Sequence, residues 1–78
     1  MYYTYILLSK IDNKLYIGYT DDLRRRFKEH CSGLVDATHY RRPLQLVYYE
    51  ACLSESKAKN REKYFKTGFG HQFLKNRL

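Results

Sequence analysis

Residues 3–30 read YTYILLSKIDNKLYIGYTDDLRRRFKEH, and this stretch decides the fold. It contains two apolar, tyrosine-bearing segments, residues 2–8 and 15–19, which are separated by the turn-forming pair Asp12-Asn13. The first segment has β-branched, aromatic and aliphatic residues without polar interruption, which indicates a strand covered on both faces. The second segment predicts the returning strand of a hairpin, and its Gly18 either lets another group approach the backbone closely or marks a bulge.

A cationic helix is predicted to follow the hairpin at once, from Asp22 to about Cys31. Thr20 or Asp21 can cap it, with acidic residues in its first turn. Apolar residues recur every four positions and predict its buried stripe, which consists of Leu23, Phe27 and Cys31. Arg26 and His30 also lie four residues apart, on a face adjoining that stripe.

The remaining chain predicts one more strand and two more helices. An irregular polar loop over residues 35–43 precedes a strand from Leu44 to Glu50, in which Leu44, Leu46 and Tyr48 should face one way and Val47 and Tyr49 the other. Ser54 caps a helix to about Lys66, which Gly68 and Gly70 break. A short last helix should pack on the core through Phe69, Phe73 and Leu74. The order β-β-α-β-α-α predicts an α+β fold, with a three-stranded, mostly antiparallel sheet flanked by helices.

Length and charge suggest one domain, residues 1–78, with a basic surface. The chain has 15 Lys and Arg against 8 Asp and Glu, a formal net charge of +7. Residues 57–78 contain seven basic residues and one acidic residue, which leaves +6 in the last third. A one-sided basic surface attracts polyanions because phosphate binding releases condensed counterions. Nucleic acid is therefore the expected partner, and the alternative is solubility charge on solvated helices.

The two cysteines, Cys31 and Cys52, match no metal-binding spacing and are too few for a disulfide scaffold. Both are predicted to be reduced and partly buried. The apolar start of the chain, residues 1–10, is too short for a transmembrane helix and lacks the pattern of a signal peptide. A cytoplasmic location without a membrane partner is expected.

Glu62 is an anomaly of the pattern, because it shares a helical face with Ala58 and Phe65. A carboxylate on a packing face is costly unless it is paired or bound to a cation. The pattern alone favours an ion pair over a metal ligand. Tyr5 and Tyr16 are similarly ambiguous, since tyrosine suits strands and the chain has nine.

The order of these segments resembles the GIY-YIG nuclease family. Tyr16-Ile17-Gly18 is the second motif of that family verbatim, and Tyr5 stands where the first motif ends, with ten residues between them. Tyr3 and Thr4 replace the glycine and isoleucine of the first motif. The resemblance covers nearly the whole chain and implies the α+β architecture of the family.

The resemblance also implies roles for individual residues. Glu62 would be the metal-binding glutamate for Mg²⁺ or Mn²⁺, and Arg26 would hold the scissile phosphate through its planar fork. His30 could accept or relay a proton, while Tyr5 or Tyr16 would assist deprotonation of the attacking water. Other residues that match family positions are His39 and Asn76.

These inferences predict an endonuclease that hydrolyses phosphodiester bonds in DNA with one divalent metal. The basic residues expected on the nucleic-acid backbone are His39, Arg41, Arg42, Lys59, Lys63 and Lys66. A non-catalytic nucleic-acid-binding module is the alternative, supported by the departures at Tyr3 and Thr4, and a protein-interaction domain is the third hypothesis. Because so small a domain cannot read a long site, specificity would come from nucleic-acid shape or from a protein partner.

Overall fold

A three-stranded antiparallel sheet organises the protein, whose computed structural model describes all 78 residues. Strand β1 (Tyr2–Ser9) lies between β2 (Leu15–Thr20) and β3 (Leu44–Cys52). Thr4 to Leu7 are buried because both faces of the central strand are covered, as its apolar sequence predicts. The hairpin turn includes Asn13, which has φ +58°, a conformation that asparagine tolerates.

Helices cover the two faces of this sheet unequally. Helix α1 (Leu23–Cys31) packs on the face that carries Tyr5 and Leu7, whereas α2 (Glu55–Phe65) and α3 (Gly68–Lys75) pack on the face that carries Ile6. The order β-β-α-β-α-α and the α+β class are confirmed. A short 3-10 helix, His39–Arg41, interrupts the loop before β3. None of the helices is long and apolar enough to cross a membrane.

Helix α1 differs from the prediction at both ends. Its N-cap is Asp22, whose side chain accepts a hydrogen bond from the backbone N–H of Arg25, rather than Thr20 or Asp21. The first turn therefore contains no acidic residue. Cys31 is exposed and His30 is the only buried residue of the helix. The four-residue spacing predicted that Cys31 lies on the buried stripe of the helix. The packed face instead includes His30, because polar side chains lie within hydrogen-bond distance of its ring.

Strand β3 also departs from simple alternation. Its pairing with β1 shifts register between Ile6 and Leu7, so that one residue of β3 has no partner. A bulge of this kind reverses the facing of the residues beyond it. Tyr48 consequently packs on the core cluster around Phe65, whereas Leu46 packs on the cluster around Tyr5. The predicted common facing of Leu46 and Tyr48 is wrong.

The glycines near residue 70 belong to α3 and do not separate it from α2. Ser54 caps α2 as predicted, α2 ends at Phe65, and Thr67 caps α3 through its side chain. Phe73 and Leu74 pack on the core, but Phe69 is 83% exposed, against the prediction. Phe69 lies in the first turn of α3 on the side that faces solvent, whereas the neighbouring Gly70 is buried against α2.

Candidate active site

Three rings meet on the α1 face of the sheet, beside the edge strand β2. The centroid of the Tyr16 ring is 5.1 Å from that of His30, and the centroid of the Tyr5 ring is 5.6 Å from that of His30. Both pairs are T-shaped, and the two tyrosine rings are 6.4 Å apart. The hairpin therefore brings the two predicted tyrosines together, and α1 adds His30 to them.

Gly18 makes room for the hydroxyl of Tyr5. The two residues pair across β1 and β2, and a Cβ atom on Gly18 would lie 2.6 Å from the Tyr5 hydroxyl oxygen. A real Cβ cannot come so close, so only glycine allows the phenol to cross the second strand here. The group that approaches the backbone closely at Gly18 is therefore the hydroxyl of Tyr5.

The His30 ring is fully buried and hydrogen-bonded at both nitrogens. Its Nε2 atom is 2.9 Å from the Tyr5 hydroxyl oxygen, and its Nδ1 atom is 2.8 Å from the Thr38 hydroxyl oxygen. Burial, and then the positive charge of Arg26, lower the pKa of His30 to about 4. The imidazole is therefore neutral at physiological pH and can accept a hydrogen bond at one nitrogen.

Burial has the opposite effect on the neighbouring phenol. It raises the pKa of Tyr5 to about 12, although the Arg26 guanidinium acts to lower it. Tyr5 is only 1% exposed, whereas Tyr16 is half-buried and its hydroxyl makes no hydrogen bond within the protein. Of the two tyrosines, Tyr16 is thus the one whose hydroxyl can meet water.

Arg26 lies at the rim of this cluster. Its Nη1 atom donates to Glu29 at 3.0 Å, which together with other interactions raises the pKa of the guanidinium. The guanidinium of Arg26 also lies close to the Tyr5 hydroxyl, and its side chain, which has five N–H donors, is 36% exposed. Arg26 thus keeps donors free for an anion, whereas its neighbour Arg25 pairs with Asp21 at 3.1 Å.

Glu62 projects from α2 on the side of β2, and its side chain is 22% exposed. Its charge raises the pKa of Tyr5, as expected of a carboxylate near the ring cluster. Its one ion-pair partner is Lys66, 3.4 Å away on the exposed surface, and only one of its two oxygens is engaged. No cluster of three or more His, Cys, Asp or Glu side chains could hold a metal ion by protein ligands alone.

A sequence profile described as the GIY-YIG catalytic domain matches residues 1–76. This match covers both tyrosine strands, the helix with Arg26 and His30, and the helix with Glu62. The chain belongs to the GIY-YIG family. A GIY-YIG catalytic domain is a nuclease-type domain, which implies a nucleic-acid substrate and, generally, a divalent metal.

Relatives and a solved structure agree with this family assignment. The UPF0213 protein SH2523 of Staphylococcus haemolyticus is 43% identical over 75 residues, which are 95% of this chain and 90% of the relative. The UPF0213 protein SpyM3_1077 of Streptococcus pyogenes is 42% identical over 65 residues, which are 82% of this chain and 70% of the relative. The solution NMR structure of the UPF0213 protein BH0048 from Bacillus halodurans superposes with a TM-score of 0.60 at 36% identity, covering 97% of this chain and 84% of that one.

The two residues that depart from the GIY-YIG first motif support the fold. Thr4 is buried and donates a hydrogen bond from its hydroxyl to the carbonyl of Ala58 at 2.9 Å, which ties α2 to β1. Tyr3 packs against Tyr49 of β3, with ring centroids 6.3 Å apart. Neither Tyr3 nor Thr4 belongs to the ring cluster of Tyr5, Tyr16 and His30.

The loop residues predicted to contact nucleic acid form contacts within the GIY-YIG domain. Arg41 forms an ion pair with Asp12 at 2.9 Å, and its hydrogen bond lowers the pKa of that carboxyl to about 2. Arg42 donates to the carbonyl of His39 at 3.0 Å, and the His39 Nδ1 atom hydrogen-bonds the carbonyl of Gly33 at 2.9 Å. These contacts hold the loop to the hairpin and to the end of α1.

The other predicted residues are spread over α2 and α3. Lys59, Lys63 and Lys66 are exposed along α2, and the ammonium of Lys59 lies 5.4 Å from the centroid of the Tyr19 ring on β2. Asn76 is the exposed C-cap of α3, and its side chain accepts a hydrogen bond from Gln72. The fold does not bring Asn76 into contact with the ring cluster.

Sequence reasoning assigned no role to Thr38, the fully buried partner of His30. The residue lies in a polar, irregular segment eight positions after His30, and no helical or strand period connects the two. Its only signal in the sequence is the presence of a small hydroxyl residue in a loop, which is too common to identify a site.

Proposed function

We propose that this chain is a metal-dependent endonuclease that hydrolyses phosphodiester bonds in DNA. The observation that supports this proposal is the convergence of Tyr5, Tyr16 and His30 beside a cation, Arg26, and within the electrostatic reach of a single carboxylate, Glu62. Hydrolysis of a phosphodiester needs a group that receives a proton from water, a cation that binds the phosphate and a group that stabilises the leaving oxygen. The five residues fit the first two requirements directly.

Tyr16 is the residue we assign to the attacking water. Its hydroxyl has no partner in the protein and is reached from solvent. The hydroxyl oxygen would accept a hydrogen bond from the water and take up its proton as the new oxygen–phosphorus bond forms and the bond from phosphorus to the leaving oxygen breaks. The phenolic proton would pass to solvent water, which in turn protonates the leaving oxygen. His30 supports the Tyr16 ring edge-on and holds Tyr5, so that the water is presented to the phosphorus in a fixed orientation.

Arg26 is the residue we assign to the scissile phosphate. Its free nitrogens offer the planar fork that matches two phosphate oxygens, and Glu29 restricts the side chain to one orientation. The guanidinium would bind the phosphate and offset the negative charge that develops on its oxygens.

Glu62 fits a divalent cation of the Mg²⁺ or Mn²⁺ type. A single partly sheltered carboxylate with one oxygen free of protein contacts suits Mg²⁺, which keeps several waters and completes its shell with substrate phosphate. When bound, such a cation polarises the phosphate and neutralises the leaving oxygen. The exposed ion pair with Lys66 is weak enough to be exchanged for it.

Replacement of Glu62 by glutamine tests this assignment. The amide keeps the shape of the side chain but removes the charge that attracts a cation, so nicking of plasmid DNA should be lost at any concentration of Mg²⁺ or Mn²⁺. The melting temperature in EDTA should stay the same or rise slightly, because only an exposed ion pair is lost. Glu55→Gln, an exposed carboxylate on the same helix, is the matched control and should cleave normally. Retained cleavage in Glu62→Gln with a marked drop in melting temperature would show a structural ion pair instead.

A second comparison separates Arg26 from bulk charge. Arg26→Ala should lower cleavage by about 10²–10³-fold, the usual cost of losing a group that stabilises developing charge, while DNA binding falls little. Arg24→Ala removes the same charge from an exposed position of the same helix and should stay close to wild type in both assays. Equal losses in the two variants would mean that the arginines of α1 act only through their summed charge.

The alternative of a non-catalytic binding module predicts DNA binding without nicking under any metal condition. A panel of duplex, branched and single-stranded DNA, each incubated with and without Mn²⁺, distinguishes the two and also reports the preferred substrate. A protein-interaction domain would bind none of these ligands in a salt-dependent manner.

A further inference from the structure

We propose that Thr38 is a positioning residue of this site: its hydroxyl accepts the Nδ1–H of His30, which leaves Nε2 as the acceptor for the Tyr5 hydroxyl. The contacts form one buried chain that runs from Tyr5 through His30 and Thr38 to the carbonyl of Val35, at 2.9, 2.8 and 3.5 Å. Tyr5, His30 and Thr38 are each at most 1% exposed. The chain therefore has to satisfy its protons internally.

The numbers of donors and acceptors determine the direction of the hydrogen bonds in this series, which runs from Tyr5 to the Val35 carbonyl. Neutral His30 carries one N–H, and Tyr5 and Thr38 each carry one O–H, so three protons need three acceptors. If Nδ1 carries the proton, Tyr5 donates to Nε2, His30 donates to Thr38 and Thr38 donates to the Val35 carbonyl. Two of the three protons are then satisfied at 2.9 and 2.8 Å, and the third is directed at the Val35 carbonyl over a longer contact of 3.5 Å.

The opposite direction leaves one buried proton without a partner. If Nε2 carried the proton, it would donate to the Tyr5 oxygen and Thr38 would donate to Nδ1. The phenolic proton of Tyr5 would then have no acceptor, since the other group beside that hydroxyl, the Arg26 guanidinium, is only a donor. An unsatisfied buried donor is costly, so the Nδ1–H tautomer is favoured.

The direction of the chain also agrees with the charge next to it. Arg26 lies near enough to Tyr5 to lower the pKa of its hydroxyl. With the phenolic proton turned toward His30, the lone pairs of the Tyr5 oxygen remain for the guanidinium of Arg26. Thr38 would thereby orient the donor and acceptor groups of the site without contacting substrate. The catalytic consequence rests on the proposed nuclease activity, whereas the tautomer does not.

The tautomer can be measured without any assay of activity. In a ¹⁵N-labelled sample near pH 7, long-range proton–nitrogen correlations distinguish the protonated from the unprotonated ring nitrogen of each of the three histidines. His30→Gln assigns the His30 signals by their disappearance. We expect protonated Nδ1 and unprotonated Nε2 in the wild type. A protonated Nε2 would overturn the inference whether or not the protein cuts DNA.

Two substitutions test the role of the hydroxyl. Thr38→Val keeps the shape of the side chain but removes the acceptor, so His30 should shift its proton toward Nε2, and kcat for cleavage should fall about 10–100-fold at unchanged KM. Thr38→Ser keeps the hydroxyl and should restore both the Nδ1–H tautomer and kcat. An unchanged tautomer and an unchanged kcat in folded Thr38→Val would refute the positioning role. If no variant, wild type included, cuts DNA, the proposed nuclease function fails while the nitrogen spectra still test the tautomer.

Discussion

At the scale of single residues, the site depends on a histidine that the fold keeps neutral. His30 is enclosed by Tyr5, Tyr16 and Thr38, and the charged groups nearest to it are Arg26 and Glu29. Burial penalises the imidazolium form and Arg26 adds repulsion, and together they exceed the opposite effect of Glu29. A neutral hydrogen-bond acceptor is thus maintained inside a basic protein by desolvation more than by any single contact.

This environment predicts a pH-dependent stability. The pKa of His30 is about 4 in the folded protein against an ordinary value of 6.5, so the unfolded chain binds more protons between these values. The free energy of unfolding should be at its full value above about pH 6.5 and fall as pH falls toward 4, by a total of about 3 kcal/mol for a shift of this size. Thermal melts across this range measure it.

His30→Gln provides the control for that titration. The variant should be less stable at pH 7 but show a much flatter profile between pH 5 and 6.5, because the carboxyl of Asp12, with a pKa of about 2, titrates well below this window. His39 and His71 remain in both proteins and cancel in the comparison. Parallel profiles of variant and wild type would mean that His30 does not govern the dependence.

At the scale of elements, the helices are tied to the sheet by polar contacts as well as by the core. Arg61 of α2 donates two hydrogen bonds to Glu50 of β3, at 2.8 and 2.7 Å, and its guanidinium lies 4.6 Å from the centroid of the Phe65 ring. A bidentate pair of this kind orients α2 on the sheet, and α2 carries Glu62 toward β2. The positive charge of Arg61 is therefore paired with Glu50 within the protein.

The junction of α2 and α3 depends on Gly70. A Cβ atom at this position would lie 2.0 Å from the carbonyl oxygen of Tyr64 and 2.5 Å from the Cα of Phe65, so the two helices touch through backbone. Gly70→Ala should force them apart and lower the free energy of unfolding by about 1–3 kcal/mol, as measured by urea denaturation. Gly68→Ala, in the same helix, meets nothing within 4 Å and should be neutral or slightly stabilising. Equal effects at both positions would exclude close packing as the cause.

At the scale of the whole molecule, the basic charge divides into two groups. Arg41, Arg61 and Arg77 contact groups of the protein, Arg77 through the Phe73 ring 3.6 Å from its guanidinium. The second group consists of the lysines on and directly after α2, which are exposed: Lys59, Lys63 and Lys66. The molecule measures 29 × 26 × 17 Å, which is shorter than one turn of duplex DNA, about 34–36 Å. A protein of this size contacts few base pairs, so recognition of nucleic-acid shape or a protein partner is expected to supply specificity.

The lysines of α2 are predicted to carry most of the affinity for DNA. Replacing Lys59, Lys63 and Lys66 together by glutamate should weaken binding to all sequences alike, and the slope of log K against log salt should decrease by roughly 0.9 for each phosphate that the variant no longer neutralises. Titrations at several salt concentrations measure the slope. A charge-matched control replaces Lys10, Lys14 and Lys28, which are exposed elsewhere. Equal losses in both triple variants would show a response to net charge alone, and a salt-independent affinity would remove the nucleic-acid interpretation.

The order of elements follows from the local patterns of the sequence, whereas the candidate site was predicted through the resemblance to a family. Apolar runs, the Asp12-Asn13 pair and the Ser54 cap are local signals, and local backbone preferences were sufficient to predict three strands and three helices. The tyrosines and Glu62 were assigned to one site through the resemblance to the GIY-YIG family, because the tyrosine spacing alone implies no catalysis and the helical pattern around Glu62 alone favours an ion pair.

Other features were decided only by the tertiary structure. The bulge in β3 reverses Tyr48 because the pairing with β1 skips a residue, and no pattern within β3 records its partner. His30, and not the predicted Cys31, is buried on the packed face of α1. The reason is that Tyr5 and Thr38, which are distant in sequence, form hydrogen bonds with the imidazole. Contacts of this kind depend on where two remote segments meet. The spacing of apolar residues within one segment carries no information about where that segment meets another, so only the tertiary structure determines the contact.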